Sequence, residues 1–283
     1  MKDLQKYFRF TATDGRPAEW GINRFPDGQV QFWIEDPDGY WSFGHQASLK
    51  CSIVDTECLD IFRQIIHTVS LAHVNILYLY GARCDKTRSG TRTVAHMPSI
   101  VLSDIILRGP TLPSYSLLAP HCDLWIDGQK QNAWGQRVTM AFPLPSQVDL
   151  SAYDAVVFPD GSSTRRFFRS NRSPAFPNCH ATGKKVRDQV SGRIDALELE
   201  WFVRPTKKRM VLVIDDLCDG GATFLKVADM LTDFEERHLA VTHGIFSNNA
   251  VEKLSEKYEV IYSTNSYDPD LTLDCGFVQD VWE

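Results

Sequence analysis

Short apolar runs alternate with amphipathic segments along this chain. The apolar runs are four to seven residues long, as expected for buried strands, and we predict six of them: Val74–Tyr80, Ser114–Ala119, Ala155–Phe158, Met210–Ile214, Leu239–Gly244 and Val260–Ser263. The segments between them predict helices at Glu57–Val69, Ser99–Leu107, Thr223–Asp233 and Ala250–Tyr258. This alternation is typical of βαβ units and predicts an α/β fold with mostly parallel sheets.

Residues 1–40 depart from this rhythm. They are rich in aromatic residues, Gly and Asp, and predict short antiparallel strands with turns at Pro26–Gly28 and Asp36–Gly39. Further along, Pro143–Val148 is the best candidate for a linker. Because 283 residues are enough for two hydrophobic cores, we predict two domains, 1–148 and 149–283.

Composition and charge exclude several classes of function. The chain is 43% hydrophobic and 23% charged, and it contains neither an apolar run as long as a membrane span nor the apolar core of a signal peptide at its start. Its seven cysteines form no CxxC motif, which favours reduced thiols in the cytoplasm. The formal net charge of -6 argues against a nucleic-acid binder. We therefore expect a cytoplasmic protein without membrane or nucleic-acid partners.

The most informative stretch runs from Asp215 to Thr223 and reads Asp-Asp-Leu-Cys-Asp-Gly-Gly-Ala-Thr. It follows a predicted buried strand and leads directly into a predicted helix. Two carboxylates at a strand end can accept hydrogen bonds from vicinal ribose hydroxyls, and a glycine loop at a helix N-terminus can hold a phosphate. An Asp pair or a Gly-Gly turn taken alone is equally compatible with plain turn chemistry. Only the complete arrangement indicates a sugar-phosphate site.

Two segments of the first half carry further chemistry. The turn Arg24–Gln29 presents an aromatic ring, a carboxylate and an amide together, although a hairpin turn with one core Phe would look the same. The segment Tyr80–Arg88 places three cations around one Asp at the end of a predicted strand. A solvated loop would explain it, but cations at this position also suit a polyphosphate.

Six segments together resemble the ribose-phosphate diphosphokinases, also called phosphoribosyl diphosphate synthetases. They occur in the family's order and span nearly the whole chain: Phe25–Gln29, Gly81–Lys86, Pro120–His121, Phe158–Ser162, Lys185–Arg187 and Thr242–Ser247, in addition to the Asp215–Thr223 loop. The first two segments have no counterpart in plain phosphoribosyltransferases. The resemblance therefore favours a synthetase over a phosphoribosyltransferase, which stays a lesser alternative.

The resemblance implies a fold and a reaction. The fold would be two tandem doubly wound parallel-sheet domains of the type I phosphoribosyltransferase kind, with the active site between them. The reaction would be Mg²⁺-dependent transfer of diphosphate from ATP to the anomeric C1 hydroxyl of ribose 5-phosphate, giving phosphoribosyl diphosphate and AMP. The family also implies a homo-oligomer, because its Phe loop usually reaches the site of a neighbouring subunit.

The resemblance also implies roles for residues, each carried over from a matching motif. Lys185 and Arg187 would be catalytic, on a segment expected to be an exposed loop that closes as a lid. His121 and Asp160 would hold Mg²⁺. The ATP site would comprise Phe25, Asp27, Gln29, Arg83, Asp85 and Lys86. The ribose-phosphate site would comprise Asp215, Asp216, Asp219, Gly220, Gly221, Ala222 and Thr223.

Three departures from the family pattern leave alternatives open. Gln29 replaces a Glu, and no counterpart of the family's regulatory segment is recognisable in Tyr40–Asp55, so regulation is in doubt. Gly220 replaces a Thr, which removes a hydroxyl and opens space at the phosphate loop. ADP-ribose, used for NAD synthesis, is therefore a serious alternative to ribose 5-phosphate as the acceptor. A non-catalytic regulatory relative is a further, lesser alternative.

Overall fold

The computed structural model describes residues 2–43, 47–81, 88–89, 92–93, 113–121, 138–170, 177–187 and 194–283. The chain divides into two compact units, one of residues 1–141 with Trp282 and one of residues 142–281 with Glu283. Leu144 and Val148, in the predicted linker, pack against a core of the second unit. The division therefore falls between Ala141 and Phe142, before the segment that we expected to join the two halves.

The first unit is built on a five-stranded sheet. Its strands are β1 (Phe8–Ala12), β2 (Trp20–Arg24), β3 (Val30–Ile34), β4 (Ala47–Ser52), β5 (Leu71–Tyr78), β6 (Arg88–Ser89), β7 (Arg92–Thr93), β8 (Ser114–Leu118) and β9 (Val138–Ala141), and its helices are α1 (Tyr40–Phe43) and α2 (Thr56–Thr68). The sheet order is β1-β4-β5-β8-β9, parallel except for the β1–β4 pair, while β2–β3 and β6–β7 form separate antiparallel pairs.

Helix α2 shows why this part of the sequence folds as it does. Its buried residues recur at helical spacing: Cys58, Leu59, Ile61, Phe62, Ile65 and Ile66. The side chain of Asp55 caps the helix by accepting a hydrogen bond of 2.9 Å from the backbone N–H of Cys58. The predicted helix Glu57–Val69 is confirmed to within one residue at each end. The predicted helix Ser99–Leu107 lies outside the described residues.

The second unit is built on a seven-stranded sheet. Its strands are β10 (Ala155–Phe158), β11 (His180–Arg187), β12 (Ile194–Trp201), β13 (Met210–Cys218), β14 (Glu236–Gly244), β15 (Val260–Thr264) and β16 (Gly276–Gln279), and its helices are α3 (Gly161–Ser170), α4 (Ala222–Asp229) and α5 (Ala250–Ser255). The order is β12-β11-β10-β13-β14-β15-β16, and every pair is parallel except β11–β12.

Strand β13 runs through the middle of this sheet between two hydrophobic cores. Val211 and Val213 belong to one core, whereas Leu212 and Ile214 belong to the other. A strand covered on both faces has no polar positions to alternate with its apolar ones, which explains the continuous apolar run in the sequence. The strand also continues past Ile214, because its ladder with β14 extends to the pair Cys218–Gly244.

Two of the predicted element boundaries are therefore wrong in this unit. The acids Asp215 and Asp216 lie within β13 rather than in the turn after it. Lys185 and Arg187 lie on β11, in an antiparallel hairpin with β12, rather than on an irregular loop. The hairpin escaped prediction although β12 carries the alternation of a half-buried strand, with Leu197, Leu199 and Trp201 packed against the core and Glu198 and Glu200 exposed between them.

Candidate functional site

Three acidic residues of the second unit lie close together at the carboxyl ends of β10 and β13. Asp160 follows β10 directly and precedes α3, while Asp215 and Asp216 are near the end of β13. The β10 and β13 strands are neighbours and run parallel, so their carboxyl ends share one edge of the sheet. This edge is where ligands bind in open α/β sheets.

Asp160 begins helix α3. Its Oδ1 atom accepts hydrogen bonds of 3.0 Å from the backbone N–H groups of both Ser162 and Ser163. This is the contact of a helix N-cap, which satisfies donors that have no partner within the helix. The cap fixes the first turn of α3 and, with it, the direction of the side chains that follow.

Ser163 links the first acid to the second. Its Oγ lies 3.1 Å from Oδ1 of Asp160 and 2.6 Å from Oδ1 of Asp215. A hydroxyl has a single proton to donate, so it serves one of the two carboxylates at a time, and the shorter distance favours Asp215. The backbone N–H of Asp216 donates a second hydrogen bond, of 2.8 Å, to the same oxygen of Asp215.

Arg166, one turn further along α3, supplies the cation of the cluster. Its Nη2 lies 2.9 Å from Oδ1 of Asp216 and 3.6 Å from Oδ1 of Asp215. Arg166 is 3% exposed and Asp216 is 5% exposed, so this ion pair is screened very little by water. Burial raises the pKa of Asp215 well above its usual range, and the neighbouring charge of Asp216 raises it further, whereas Arg166 and Ser163 lower it.

The loop after β13 has the form of an anion site. Gly221 adopts a φ of +76°, a left-handed conformation that favours glycine, and it is the N-cap of α4. The first backbone N–H groups of a helix have no partner within it and carry partial positive charge. The predicted phosphate-binding residues Asp219–Thr223 therefore bring together glycine, loop amides and a helix N-terminus, as the sequence indicated.

Gly220 occupies open space. A Cβ placed on it would meet only one atom within 4 Å, Oγ of Ser247 at 3.9 Å, and its φ does not lie in the left-handed region. Packing in the second unit therefore does not require glycine at this position. A Thr side chain, which the resemblance leads us to expect there, would fit.

The segment after β14 supports this loop from the neighbouring strand. Oγ of Ser247 donates a hydrogen bond of 2.5 Å to Oδ1 of Asp219. Phe246, Asn248 and Asn249 have positive φ angles of 50°, 57° and 58°, and such conformations of non-glycine residues concentrate at functional sites. Behind them, Nδ1 of the buried His243 lies 2.7 Å from Oγ of Ser266, so the motif Thr242–Ser247 is held by polar contacts.

The predicted ATP-binding turn lies in the first unit, between β2 and β3. Backbone hydrogen bonds of 2.9 Å join Phe25 to Gln29 and Gly28 to Phe25, and Asp27 accepts one of 3.1 Å from the backbone N–H of Gln29. The ring of Phe25 at its tip is 46% exposed. Single exposed aromatic rings are common on protein surfaces, so this exposure makes the ring accessible to a ligand without itself assigning a binding role.

Two side chains that we did not predict hold this hairpin on helix α2. Arg24 donates to both carboxylate oxygens of Glu57, at 2.6 and 3.1 Å. Gln64 accepts from the backbone N–H of Phe32 at 2.8 Å and donates to the backbone oxygen of Val30 at 3.0 Å. Glu57 and Gln64 are 7 residues apart, so they lie on the same face of α2. This spacing becomes informative in the sequence only once the strands that they contact are known.

The remaining predicted residues are placed less completely. Arg83, Asp85 and Lys86 lie outside the described residues, and only the backbone of Lys185 and Arg187 is described. The ladder shifts register between Val186 and Arg187, so an irregularity falls beside both of them. Their roles stay predictions.

The predicted magnesium ligands come from different units. His121 follows β8 in the first unit and is half-buried, whereas Asp160 belongs to the second. Within the described residues no group of three metal-ligating side chains comes together. The carboxylates of Asp160, Asp215 and Asp216 are nevertheless oxygen donors of the kind that Mg²⁺ prefers, and Mg²⁺ commonly keeps several waters in place of protein ligands.

A cavity in the described part of the second unit lies away from the predicted site. It has a volume of about 280 Å³, lies beside Trp201, Lys208 and Phe234, and includes none of the predicted site residues. Lys208 precedes β13, so this cavity is at the opposite end of the strand from the acids. Cavity volume therefore points to the amino end of β13, whereas the acid and loop chemistry points to its carboxyl end.

Comparisons with known proteins bear on the family. No protein-family model matches the chain. It is 34% identical over 62 residues to the ribose-phosphate pyrophosphokinase of Pyrococcus furiosus, which covers 21% of this chain and 22% of that protein. It is 42% identical over 66 residues to ribose-phosphate pyrophosphokinase 2 of Saccharomyces cerevisiae, covering 22% and 21%. These matches span only about a fifth of the curated relatives' length.

The whole fold extends the likeness. The structure superimposes on the phosphoribosylpyrophosphate synthetase of Mycobacterium smegmatis with a TM-score of 0.68 and 17% identity, covering 95% of this chain and 88% of that one. In about a fifth of its sequence the chain is similar to ribose-phosphate pyrophosphokinases, and its fold is similar to that of a phosphoribosylpyrophosphate synthetase. The predicted fold class, α/β with phosphoribosyltransferase-like parallel sheets, is confirmed by this likeness.

The parallel sheet of the second unit places acids and a glycine loop at the carboxyl ends of its strands. Ser163 and Arg166 belong to the same candidate site but were not predicted, and Ser247 lies in the matched segment Thr242–Ser247 but was assigned no role. The spacing of Asp160, Ser163 and Arg166 was the available signal, because positions three apart share one face of a helix.

None of the helices in the described part of the chain has the length and apolar character that spanning a bilayer requires.

Proposed function

We propose that the protein transfers diphosphate from ATP to the anomeric C1 hydroxyl of a ribose phosphate. In this reaction the C1 oxygen forms a bond to the β-phosphorus of ATP. The bond from that phosphorus to the oxygen that bridges the α- and β-phosphorus atoms breaks, and AMP leaves with this oxygen. The proton of the hydroxyl passes to water. The product is a ribose phosphate with a diphosphate at C1, and no oxidation or reduction takes place.

The observation that carries this proposal is the pairing of Asp215 and Asp216 with the loop Asp219–Thr223 at one strand end. The acids provide acceptors for vicinal hydroxyls, and the loop provides N–H donors for a phosphate a few residues away. A furanose phosphate carries both groups at a fixed separation. Transfers of this kind depend on positioning and charge neutralisation more than on covalent chemistry. A strand end and a helix N-terminus held in one sheet supply the positioning.

Other residues of the chain would serve the nucleotide. Phe25 would stack on the adenine ring, with Asp27 and Gln29 beside it, and Arg83 and Lys86 would bind the triphosphate. Lys185 and Arg187 would neutralise charge on the transferring group. Mg²⁺, held by Asp160 and His121, would neutralise phosphate charge and add to the electrostatic stabilisation of the transfer.

A specific observation favours a second acceptor. The space at Gly220, where a Cβ would find no atom closer than 3.9 Å, would admit a longer substituent on the 5′ side of the ribose. ADP-ribose carries such a substituent and the same anomeric hydroxyl. Its diphosphorylation would activate it for coupling to a nicotinamide base, so the same chemistry would serve NAD synthesis.

The test is direct. Purified protein is incubated with Mg-ATP and either ribose 5-phosphate or ADP-ribose, AMP is measured by chromatography, and the product is identified by mass spectrometry. We expect AMP release that depends on both acceptor and Mg²⁺, and its loss in Asp215→Asn. Asp233→Asn, which changes an exposed acid at the other end of the unit, is the matched control. The proposal would be contradicted if neither ribose 5-phosphate nor ADP-ribose led to AMP release.

Two further properties are proposed with the function. A second copy of the chain would complete the ATP site around the exposed ring of Phe25, so we propose a homo-oligomer. The substrates are those of the cytoplasm, which is the compartment that we propose.

A further inference from the structure

Arg166 is a buried cation at the acid pair, and no motif assigned it a role. It lies on α3 and is 3% exposed, with its Nη2 2.9 Å from Asp216 and 3.6 Å from Asp215. Taking a guanidinium group out of water is unfavourable unless charged partners compensate for it. The two acids of β13 are those partners.

The acids need the cation as much as the cation needs them. Asp215 and Asp216 are adjacent in sequence and joined by a hydrogen bond of 2.8 Å from the backbone N–H of one to the carboxylate of the other. Two carboxylates this close, and this little exposed, repel each other, so both need an attractive contact to stay in place. The guanidinium group of Arg166 supplies that contact to both of them.

The contacts around Asp215 fix the orientation of its carboxyl group. Ser163, the backbone of Asp216 and Arg166 all approach Oδ1. The side chain is 13% exposed, so part of this oriented group is open to an incoming donor.

The guanidinium itself is out of reach of a sugar. The side chain of Arg166 is 4% exposed, against 13% for that of Asp215, so a ligand that reaches Asp215 has little access to Arg166. Any effect of Arg166 on a sugar ligand must therefore pass through the carboxylates.

We propose that Arg166 is a positioning residue for the acceptor site: it holds the carboxyl groups of Asp215 and Asp216 in the orientation in which they accept hydrogen bonds from the ribose hydroxyls. The proposal rests on the proposed function, because it assumes that the acids bind a ribose. It divides the cluster into residues that touch the sugar and a residue that prepares them.

The test compares two substitutions. Arg166→Met removes the charge at similar length, and Arg166→Lys keeps a charge but offers one compact donor group. Binding of the acceptor is measured by calorimetry without ATP, and KM is measured for acceptor and for ATP. For Arg166→Met we expect a loss of acceptor affinity of roughly 10- to 100-fold, as for a lost hydrogen bond to a charged group. The KM for ATP should stay within about twofold, and Arg166→Lys should recover part of the loss.

Two additional variants separate an effect on binding from an effect on stability. Arg166→Met combined with Asp216→Asn removes both partners of the shorter ion pair, so it should recover melting temperature without recovering acceptor affinity. Arg237→Met, which removes the Arg237–Glu259 ion pair at the amino end of β14, is the matched control for loss of an arginine in the same unit. If the Arg166 variants lose melting temperature only, or lose affinity for ATP and acceptor equally, Arg166 is structural and the proposal is wrong.

Failure of the proposed function would give a different result. The wild-type protein would then bind neither ribose 5-phosphate nor ADP-ribose in the calorimeter, and the positioning role would fall with it. Wild-type binding that Arg166→Met leaves unchanged would overturn the positioning role alone.

Discussion

Ser247, after strand β14, donates a hydrogen bond of 2.5 Å to the carboxylate of Asp219, in the loop after strand β13. Asp219 is an acid inside a loop whose amides suit an anion, so its own charge would repel a phosphate if it faced the same way. The hydroxyl of Ser247 holds this carboxylate in a fixed place. Two neighbouring strands thus contribute to one candidate phosphate site.

Replacing Ser247 tests that arrangement. In Ser247→Ala the Asp219 carboxylate loses a charge-assisted hydrogen bond, which is worth about 1.5–3 kcal/mol. We expect acceptor affinity, measured by calorimetry, to fall by about tenfold while ATP affinity stays the same. The control is Ser255→Ala, at the end of α5, where the exposed Oγ donates a hydrogen bond to the backbone oxygen of Glu252. An unchanged acceptor affinity in Ser247→Ala would show that Asp219 does not depend on this contact.

Gly220 is expected to decide the choice of acceptor. Gly220→Thr adds a side chain where the structure leaves room, so the fold should be retained and melting should shift little. The added hydroxyl and bulk should favour a terminal phosphate over a longer 5′ group. We expect the ratio of kcat/KM for ribose 5-phosphate to that for ADP-ribose to rise by about tenfold, a difference of about 1.4 kcal/mol.

Gly220→Ala separates the two contributions to that ratio, because it adds a methyl group without a hydroxyl. A change shared by both variants indicates the effect of volume, and a change in Gly220→Thr alone indicates the hydroxyl. If neither variant alters the ratio, the position does not contribute to acceptor choice and the argument for ADP-ribose loses its structural basis.

Lys185 and Arg187 are expected to act in the transfer step rather than in binding. Charge on the transferring group develops in the transition state, so removing a cation that meets it lowers kcat more than affinity. For Lys185→Ala we expect kcat to fall by about 100-fold or more, the scale of a lost electrostatic donor, with both KM values within about threefold. Lys184→Ala, an exposed neighbour on the same strand, is the control. Near-normal turnover in Lys185→Ala would remove it from the catalytic residues.

The sequence allowed prediction of those elements whose burial leaves a pattern. Strand β10 was predicted to the residue, because all four of its positions are buried apolar side chains. Strand β13 was cut short at Ile214, because acids usually end a buried strand and here a buried arginine compensates for them. Compensation of this kind depends on a residue 50 positions away, which no local window of sequence contains.

In the candidate site, too, the local arrangements were the predictable parts. The loop Asp219–Thr223 and the turn Phe25–Gln29 are local arrangements of backbone and side chains, and both form as expected. Arg166 and Ser163 were missed because α3 contains only two apolar residues, Phe167 and Phe168, and its helical spacing shows in its polar positions instead. In the β11–β12 hairpin, strand β11 is mostly polar and resembles a loop in composition, whereas the alternation of Leu197, Leu199 and Trp201 with glutamates in β12 was an available signal.

Phe25 provides a test of the nucleotide site that does not depend on the acceptor. Its ring is 46% exposed and the turn is held by backbone hydrogen bonds, so Phe25→Ala should change stability by no more than about 0.5 kcal/mol. Loss of an aromatic stacking partner should raise the KM for ATP by about five- to tenfold. Phe202→Ala, which removes a ring that is 79% exposed in the other unit, controls for loss of a surface aromatic. Equal KM values in the two variants would contradict an adenine-stacking role.

His238 should make stability depend on pH. Burial lowers the pKa of this imidazole, whose Nδ1 lies 2.8 Å from the hydroxyl of Tyr153 and whose Nε2 lies 3.5 Å from the carboxylate of Glu236. Between the lowered folded pKa and the unfolded value of about 6.5, the unfolded chain binds more protons than the folded one. Stability contributed by the neutral ring is therefore complete above about pH 6.5 and is lost as the pH falls below it.

The measurement is the free energy of unfolding in urea between about pH 5 and pH 7.5. One titrating group contributes a slope of at most about 1.4 kcal/mol per pH unit. We expect His238→Gln to reduce the slope of the wild-type protein below pH 6.5 while keeping a side chain that can bond to Tyr153. The pKa of His73 is also lowered by burial, so His73→Gln is measured in parallel and accounts for its share. A wild-type slope that persists unchanged in His238→Gln would show that His238 does not control the acid limb.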